Sequence, residues 1–289
     1  MKLIFHGAVS RRRRYFIATA ASLLLVITLA TATQAISVRL DRWIELRNFS
    51  GSVTYLSNGQ WRPARTGQRI GRIGQGIRTG GGSLARLSVD TDIGFISVSE
   101  NTDLRIASLT TTPRGGKVTK LEVLYGQARL FIRPFVNPDS SLELRTPAGV
   151  NGVRGTEFGV SIQPTGRTGV ATLEGAITTS AADRTVVVSA GQQTLLVPGE
   201  PPLPPVPLTN DTTLRISQLQ ESRLYRGRRS LLLRGWCSPY NLLQIDGETQ
   251  TTDREGNFEV VVPVASGRSV QATVITPLGI EQVYELAIP

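Results

Sequence analysis

Apolar and polar residues alternate in short runs through most of residues 53–197. Within the run that ends at Asp90, Ala85, Leu87 and Val89 occupy every second position. Alternation at period two is typical of a strand with one buried face. The same pattern returns in Ile96–Val98, Leu104–Ile106, Leu121–Tyr125, Ala128–Ile132 and Phe158–Ile162. Because the runs are short and turn residues follow about every eight to twelve positions, the sequence predicts an all-β sandwich, barrel or solenoid-like roll.

The amino-terminal 35 residues have the layout of an export segment. Lys2 and Arg11 to Arg14 are basic, and residues 15–32 carry no charge. This is the order of a secretory signal peptide, with small-residue cleavage sites at Ala32 and Ala35. The uncharged run also approaches the roughly 20 residues that span a bilayer as a helix, so a signal anchor is the alternative. Either outcome places residues 36–289 outside the cytoplasm, in the periplasm or cell envelope.

A glycine-flanked corner follows in residues 145–162. Val150 and Val153 lead into it, and the alternating residues Phe158 and Ile162 lead out as a strand with one buried face. Gly152 and Gly155 mark the turn between them, where the backbone needs freedom that other residues lack. Arg154 and Glu157 lie three residues apart in this corner. We expect either a local ion pair between them or a buried arginine bonded to loop carbonyls.

This corner resembles the end of a FecR domain, the extracytoplasmic module known from iron-siderophore signal transducers. The resemblance rests on Val153-Arg-Gly-Thr-Glu-Phe158 and on Gly169-Val-Ala-Thr-Leu-Glu-Gly-Ala-Ile177. Upstream pieces keep the family's order: Gly51-Ser-Val-Thr54, Trp61-Arg-Pro-Ala64, Gly67-Gln-Arg-Ile70, Gly76-Ile-Arg-Thr79, Ser83-Leu-Ala-Arg-Leu-Ser-Val89 and Leu124-Tyr-Gly-Gln-Ala-Arg-Leu130. The resemblance spans about residues 47–180 and implies a solenoid-like all-β fold over residues 36–197. We expect the motif residues Val153, Arg154, Gly155, Thr156, Glu157 and Phe158 to be structural.

The family's full-length transducers imply one alternative function. In them a cytoplasmic amino-terminal segment regulates a sigma factor, and a carboxy-terminal module contacts an outer-membrane transporter. Here 14 residues precede the uncharged run, and a different carboxy-terminal region follows the corner. The sequence therefore favours an envelope sensing or interaction module, with a single-pass, sigma-factor-related regulator as the alternative.

The carboxy-terminal region begins with a change of composition. Residues 198–211 are rich in proline and favour polyproline II, which predicts a stiff linker that could hold two domains about 30 Å apart. Residues 212–289 return to alternating strands typical of a small antiparallel sandwich. Asp253-Arg-Glu-Gly-Asn-Phe-Glu-Val260 and Ser266-Gly-Arg-Ser-Val-Gln-Ala272 resemble bacterial Ig-like modules. The resemblance implies an Ig-like β-sandwich over residues 212–289.

The residue inventory argues against catalysis and against a cofactor. The one histidine, His6, lies in the export segment, which excludes histidine-based triads and most catalytic zinc sites. Cys237 is the single cysteine, so no intramolecular disulfide forms, and we expect it to be a small apolar residue in a strand. The six glycines within residues 71–82 match neither a P-loop nor a dinucleotide fingerprint. The sequence therefore predicts no metal and no cofactor.

Carboxylate pairs are the remaining candidates for enzyme chemistry. Asp90 and Asp92 with Asp103, or Glu157 with Glu174, could in principle cleave sugars as acid and base. In β proteins such residues usually lie on solvated faces or in turns. A carbohydrate-active enzyme is therefore a second, less favoured alternative, and we predict that the protein is not an enzyme.

Arginine is the residue type that points to binding. Lysine occurs at positions 2, 117 and 120 alone, whereas arginine, which suits bidentate contact with carboxylates and phosphates, accounts for the other basic residues. Two groups lie near aromatic residues: Arg62, Arg65, Arg69, Arg72 and Arg78 near Trp61, and Arg223, Arg226, Arg228, Arg229 and Arg234 near Trp236. We expect one group to bind an envelope protein or an anionic cell-wall polymer, and we expect no nucleic acid partner.

Overall fold

The computed structural model describes residues 42–223, 229–263 and 269–288, and these residues form strands without α-helix. The all-β prediction is confirmed. Among these residues no helix is long and apolar enough to cross a bilayer. The predicted signal peptide or anchor, residues 1–35, lies outside the described residues.

Seventeen strands form the N-terminal module, which we define as β1 to β17. They are β1 (Ile44–Ser50), β2 (Val53–Ser57), β3 (Gln60–Pro63), β4 (Arg69–Ile70), β5 (Gly76–Thr79), β6 (Leu84–Val89), β7 (Gly94–Val98), β8 (Asp103–Thr111), β9 (Lys117–Ile132), β10 (Ser141–Thr146), β11 (Gly149–Val153), β12 (Thr156–Ile162), β13 (Thr168–Glu174), β14 (Ala176–Ala181), β15 (Arg184–Ser189), β16 (Gln192–Leu196) and β17 (Val206–Pro207).

The seventeen strands form two layers that share the long strand β9. The first sheet has the order β4-β1-β6-β7-β9-β12-β13-β16-β17 and is antiparallel throughout. The second sheet has the order β3-β2-β5-β8-β9-β10-β11-β14-β15, with β9 and β10 parallel. The first half of β9, up to Tyr125, pairs in the second sheet, and the half from Gly126 onward pairs in the first. This one strand therefore holds the two layers together.

The core lies between the two layers. Leu87, Ile96 and Leu130 point inward from the first sheet and are fully buried. Leu104 and Leu121 meet them from the second sheet and are equally buried. These are the inward positions of the alternating runs, so the period-two pattern identified the core face of each strand correctly.

Seven further strands form the C-terminal module. They are β18 (Leu214–Arg223), β19 (Arg229–Cys237), β20 (Leu242–Ile245), β21 (Glu248–Gln250), β22 (Asn257–Pro263), β23 (Ser269–Ile275) and β24 (Glu281–Ala287). β18, β19 and β22 form one sheet, and β21, β20, β23 and β24 form the other. The two sheets share a core that includes Leu233, Ile245 and Cys237. Cys237 is thus a buried strand residue, as expected, whereas the Ig-like assignment stays a prediction.

The proline-rich segment runs along strand β16 of the N-terminal module and is hydrogen-bonded to it. The amide of Leu203 donates to the carbonyl oxygen of Leu195 at 3.0 Å, and Val206 pairs with Gln193 in β16. Prolines are tolerated here because an edge strand needs donors on one side alone. The prediction of a spacer that holds two domains apart is therefore wrong for this segment, although the boundaries at residues 197 and 212 stay predictions.

The C-terminal module packs directly against the outer face of the first sheet. The Gln163 side chain amide donates to the Asn241 carbonyl at 3.2 Å and to Thr252 Oγ1 at 3.0 Å, and all three residues are buried. On β9, Gln127 donates to the carbonyl of Pro277 at 2.8 Å. Residues 42–289 consequently form one compact unit.

Two glycines in the first sheet permit this close contact. A Cβ atom at Gly159 would lie 2.0 Å from the carbonyl oxygen of Pro277, and one at Gly169 would lie 2.1 Å from that of Tyr240. Both neighbours are backbone atoms, which cannot rotate away. Glycine inside these strands therefore marks the approach of a second backbone.

Candidate binding face

The C-terminal module leaves part of the first sheet's outer surface uncovered. We call this part the open face and define it by Arg86, Phe95, Ser97, Arg129, Phe131 and Glu157, which line a depression of about 430 Å³. Neighbouring strands place Phe95 directly opposite Phe131, and Phe131 opposite Glu157. Two residues along, and so on the same face, Arg86 stands opposite Ser97, and Ser97 opposite Arg129.

The two phenylalanines form an exposed apolar pair. Phe95 is 40% and Phe131 43% exposed, whereas Ile96, Leu130 and Ile132 beside them point into the core. Opposed residues on neighbouring strands have Cβ atoms about 5 Å apart, close enough for the two side chains to act as a single patch. Adjacent exposed aromatic residues of this kind mark interaction surfaces more often than scattered ones do.

The charges around this apolar pair are unevenly matched. Arg129 Nε donates to Glu157 Oε1 at 2.8 Å, and Arg129 Nη1 reaches the carbonyl of Leu278 in the C-terminal module at 3.3 Å. Arg86 and Arg133 are exposed, and within residues 42–223, 229–263 and 269–288 neither has a carboxylate partner. Arg86 and Arg133 are therefore positive charges without an ion-pair partner, while the exposed carboxylate of Glu174 lies opposite Glu157 at the far border of the face.

A smaller groove of about 190 Å³ continues the open face. Phe95 lines both depressions, and the groove extends from it to Trp43 and Arg133. The Arg69 guanidinium stacks over the Trp43 ring at 4.3 Å and donates to Glu45 at 2.7 Å. Hydrogen bonds from Arg69, and next from Arg47, lower the pKa of Glu45 below its ordinary value. Glu45 is thus held as a carboxylate beside the groove.

The first predicted arginine group does not form one site. Arg69 lies in β4 of the first sheet, whereas Arg78 lies in β5 of the second. Arg78 stacks on Trp61 at 4.0 Å and pairs at 2.6 Å with Asp103, a carboxylate that it shares with Arg105. The other three predicted residues are exposed on separate segments: Arg62, Arg65 and Arg72. Proximity in sequence to Trp61 was misleading because β4 and β5 diverge into different layers.

The side chains of the second predicted arginine group, near Trp236, lie mostly outside the described residues. Arg226 and Arg228 fall outside the described residues, and Arg229 is described by its place at the start of β19 alone. Arg223 likewise has a described place, at the end of β18, opposite Arg229. Arg234 pairs with Glu259 at 2.8 Å. Binding by this group stays a prediction.

The Val153–Phe158 motif carries the chain from one layer to the other. β11 pairs with β10 and β14 in the second sheet, and β12 pairs with β9 and β13 in the first. Gly155 has φ +138°, and a Cβ there would lie 2.6 Å from Pro134 Cα, so the turn requires glycine. Phe158 beyond the turn is fully buried, which stabilises the fold by about 1.5–3 kcal/mol.

The two charged residues of the motif do not pair with each other. Arg154 is exposed and donates to the carbonyl of Pro138 at 3.1 Å, while Glu157 pairs with Arg129. The alternative prediction was a buried arginine bonded to loop carbonyls. It is correct about the carbonyl partner and wrong about burial, because Arg154 is exposed. The prediction of a local ion pair between Arg154 and Glu157 is wrong, because the two side chains lie on different sides of the turn and bind different partners.

The carboxylates considered for catalysis serve mainly as arginine partners. Asp90 is buried and accepts from Arg42 Nε at 2.9 Å. Asp103 is fully buried and pairs with both Arg78 and Arg105. Glu157 does stand opposite Glu174 across β12 and β13, yet Arg129 holds it. In the described part of the chain, no cluster of three His, Cys, Asp or Glu side chains suits a metal ion.

Sequence reasoning missed the open face, although a signal for it exists. Phe131 interrupts the alternation of β9, since Leu130-Phe-Ile132 is an apolar triplet whose middle residue must point outward. Phe95 beside Ile96 breaks β7 in the same way. A large apolar residue at the outward position of an otherwise alternating strand is therefore the feature that would have located this surface.

Comparison with known proteins supports the recognised family. Residues 75–178 match the model of the family described as FecR protein. No curated protein matches the chain. Two crystal structures of a "putative anti-sigma factor" from Parabacteroides distasonis ATCC 8503, at 1.65 and 2.50 Å resolution, share 14% identity with it at a TM-score of 0.39. The alignment covers 46% of this chain and 59% of that one, and at this TM-score it supports no statement about function.

The matched residues contain the features described above. They run from β5 into β14 and include the Val153–Phe158 corner and all six residues of the open face. The match begins later than the residue 47 at which the resemblance was expected to start. Residues 75–178 are therefore similar to a FecR domain, and this match covers a little over a third of the chain.

Proposed function

We propose that this protein is a non-catalytic, extracytoplasmic binding protein that contacts another component of the cell envelope through the open face of its FecR domain. The FecR match supports a signalling or regulatory role, and the predicted export segment supports the location. The proposal keeps both partner classes expected from the sequence, an envelope protein and an anionic cell-wall polymer. We also propose that the FecR domain has a solenoid-like fold and that residues 212–289 form an Ig-like domain.

The observation that carries it is the pairing of Phe95 with Phe131 beside uncompensated arginines. An exposed aromatic pair loses water-accessible apolar area when a partner covers it, which is favourable at about 25 cal/mol per Å². Arg86 and Arg133 add attraction for an anionic partner and steer it toward the patch. Aromatic and arginine side chains are also the types that dominate binding energy at protein interfaces.

Retention on envelope material tests the proposal. The tagged full-length protein and its variants are incubated with isolated envelopes at low salt, and the bound fraction is measured. We expect F95S/F131S and R86S/R133S each to lower retention at least fivefold. Two charge-matched variants, R62S/R65S and R226S/R228S, serve as controls drawn from the predicted arginine groups. If a control variant loses retention while the open-face variants keep it, the binding site lies elsewhere and the proposal fails.

A single-pass membrane regulator related to sigma-factor signalling is the second candidate, and the FecR match is what favours it. It requires residues 15–32 to remain as an anchor. The mass of the mature protein separates the two, since cleavage after Ala35 would remove the anchor and exclude this candidate.

A further inference from the structure

We infer that the occupant of the open face is an acidic protein segment with apolar side chains, rather than an acidic polysaccharide. The inference rests on the proposed function and narrows its partner class. It follows from the kind of apolar patch, from the kind of cation around it and from the shape of the surface.

The apolar patch fits side chains of a protein. Phe95 and Phe131 are purely apolar rings, and each is about two-fifths exposed in the middle of the face. Ser97, two residues beyond Phe95 on β7, offers one small hydroxyl on the same face. A polysaccharide presents many hydroxyl groups, which would lose water here with few partners to replace it. Leucine, valine or phenylalanine side chains have no such cost.

The cations fit carboxylates on a protein. The basic residues of the face and of its border are arginines, namely Arg47, Arg69, Arg86, Arg129 and Arg133, whereas Lys117 and Lys120 belong to the half of β9 that pairs in the second sheet. Arginine beside phenylalanine, without lysine, is the composition enriched at the centre of protein interfaces. The planar guanidinium suits the bidentate recognition of aspartate and glutamate side chains.

The shape of the surface fits an extended segment. Phe95 lines both the open face and the groove toward Trp43, so the two depressions form one track. At its other end the track is bordered by the loop around Leu278, whose carbonyl oxygen accepts from Arg129. Trp43 at one end and Phe131 toward the other offer apolar contacts, with Arg133 and Arg86 beside them. An extended chain that alternates acidic and apolar residues satisfies both kinds of contact, because its side chains point alternately to opposite sides.

Site-specific crosslinking in intact cells tests the inference. A photoreactive amino acid replaces Ser97, at the centre of the open face, in the tagged full-length protein. After irradiation, the adduct is purified and its crosslinked portion is identified by mass spectrometry. We expect a peptide adduct whose sequence near the crosslink is rich in Asp or Glu and contains aliphatic or aromatic residues. Its yield should fall at least fivefold in F131S and in R86S and stay unchanged in R184S, a matched exposed arginine on β15.

The adduct's identity then decides the partner class. A synthetic peptide of the mapped segment should bind the purified protein, and affinity should fall at least tenfold when its acidic residues become Asn and Gln. A glycan adduct, a peptide that is not acidic, or no adduct at all would overturn the inference. A glycan adduct together with retention that depends on the open face would leave the proposed function intact, so the two failures are distinguishable. Unfolding midpoints equal to wild type confirm that each variant is folded.

Discussion

Glu157 pairs with Arg129 on the neighbouring strand β9, with Oε1 2.6 Å from Nη2, and not with Arg154 three residues before it. Arg154 turns to the other side of the corner and donates to the carbonyl of Pro138. The corner is therefore fixed by its glycine and by the buried Phe158, while its glutamate belongs to the open face.

Substitutions at the corner should separate these contributions. We expect Arg154→Ala to lower the free energy of unfolding by at most about 1 kcal/mol, because one exposed hydrogen bond is lost. Gly155→Ala should cost more, about 2–3 kcal/mol, since the backbone at φ +138° disfavours a side chain and Pro134 occupies the space. Urea unfolding of both variants measures the difference. Equal losses would show that the arginine, and not the glycine, fixes the turn.

The strands around this corner show which features the sequence alone could predict. Alternation identified the inward residues of β6 to β9 because burial on one face of a strand imposes period two on the sequence itself. The corner was visible for a similar reason, since Gly155 and the apolar residues around it reflect local backbone geometry. Arg154 and Glu157 were paired wrongly because separation along the chain says nothing about which layer each side chain joins.

The docking of the C-terminal module was hidden from the sequence. Gly159 and Gly169 look like weak strand residues until the carbonyl groups of Pro277 and Tyr240 are seen beside them. Contacts between residues more than 70 positions apart leave no local pattern, and proline suggested separation where an edge strand exists. The open face was missed because its limits are set by where this docking stops.

Gly159 should be intolerant of a side chain. Gly159→Ala would place its Cβ 2.0 Å from the Pro277 carbonyl oxygen, so we expect the C-terminal module to be displaced and the free energy of unfolding to fall by about 1–3 kcal/mol. Urea unfolding and limited proteolysis of the proline-rich segment report the two effects. Gly81→Ala is the matched control, because its Cβ would meet only Asn101 Oδ1, at 3.9 Å. Equal behaviour of the two variants would contradict the observed packing.

Asp103 should contribute more stability than an exposed acidic residue. It is fully buried and pairs with Arg78 and Arg105, whose side chains are 36% and 32% exposed. Removing one partner of a fully buried pair costs about 3–5 kcal/mol, and the partial exposure of the arginines reduces our expectation for Asp103→Asn to about 2 kcal/mol. Asp92→Asn, in the exposed pair with Lys117, should cost under about 0.5 kcal/mol in the same urea titration. A loss at Asp92 as large as at Asp103 would contradict this ranking.

Glu45 should make stability sensitive to acid. Hydrogen bonds from Arg69 and Arg47 hold its pKa below the ordinary value in the folded protein, so the unfolded chain takes up the proton first as pH falls. The stabilisation is present above the unfolded pKa of about 4.3 and is lost as pH falls through the folded pKa. Glu45→Gln and Arg69→Ser should each show a smaller loss of unfolding free energy between pH 7 and pH 3 than the wild type. An unchanged pH dependence in both variants would show that this pair does not contribute.

Cys237 should be chemically inert while the protein is folded. Burial in the C-terminal core raises the pKa of its thiol to about 12, and its side chain has no exposed area. At pH 8 the reactive thiolate is then about one part in ten thousand, compared with about a quarter for a free cysteine of pKa about 8.5. Ellman's reagent should therefore react within minutes in urea and far more slowly in buffer, at a rate limited by opening of the module. Cys237 ends β19 and belongs to the same buried core as Leu233 and Ile245, so prompt reaction of the native protein would mean that this core opens readily, contrary to the packing described.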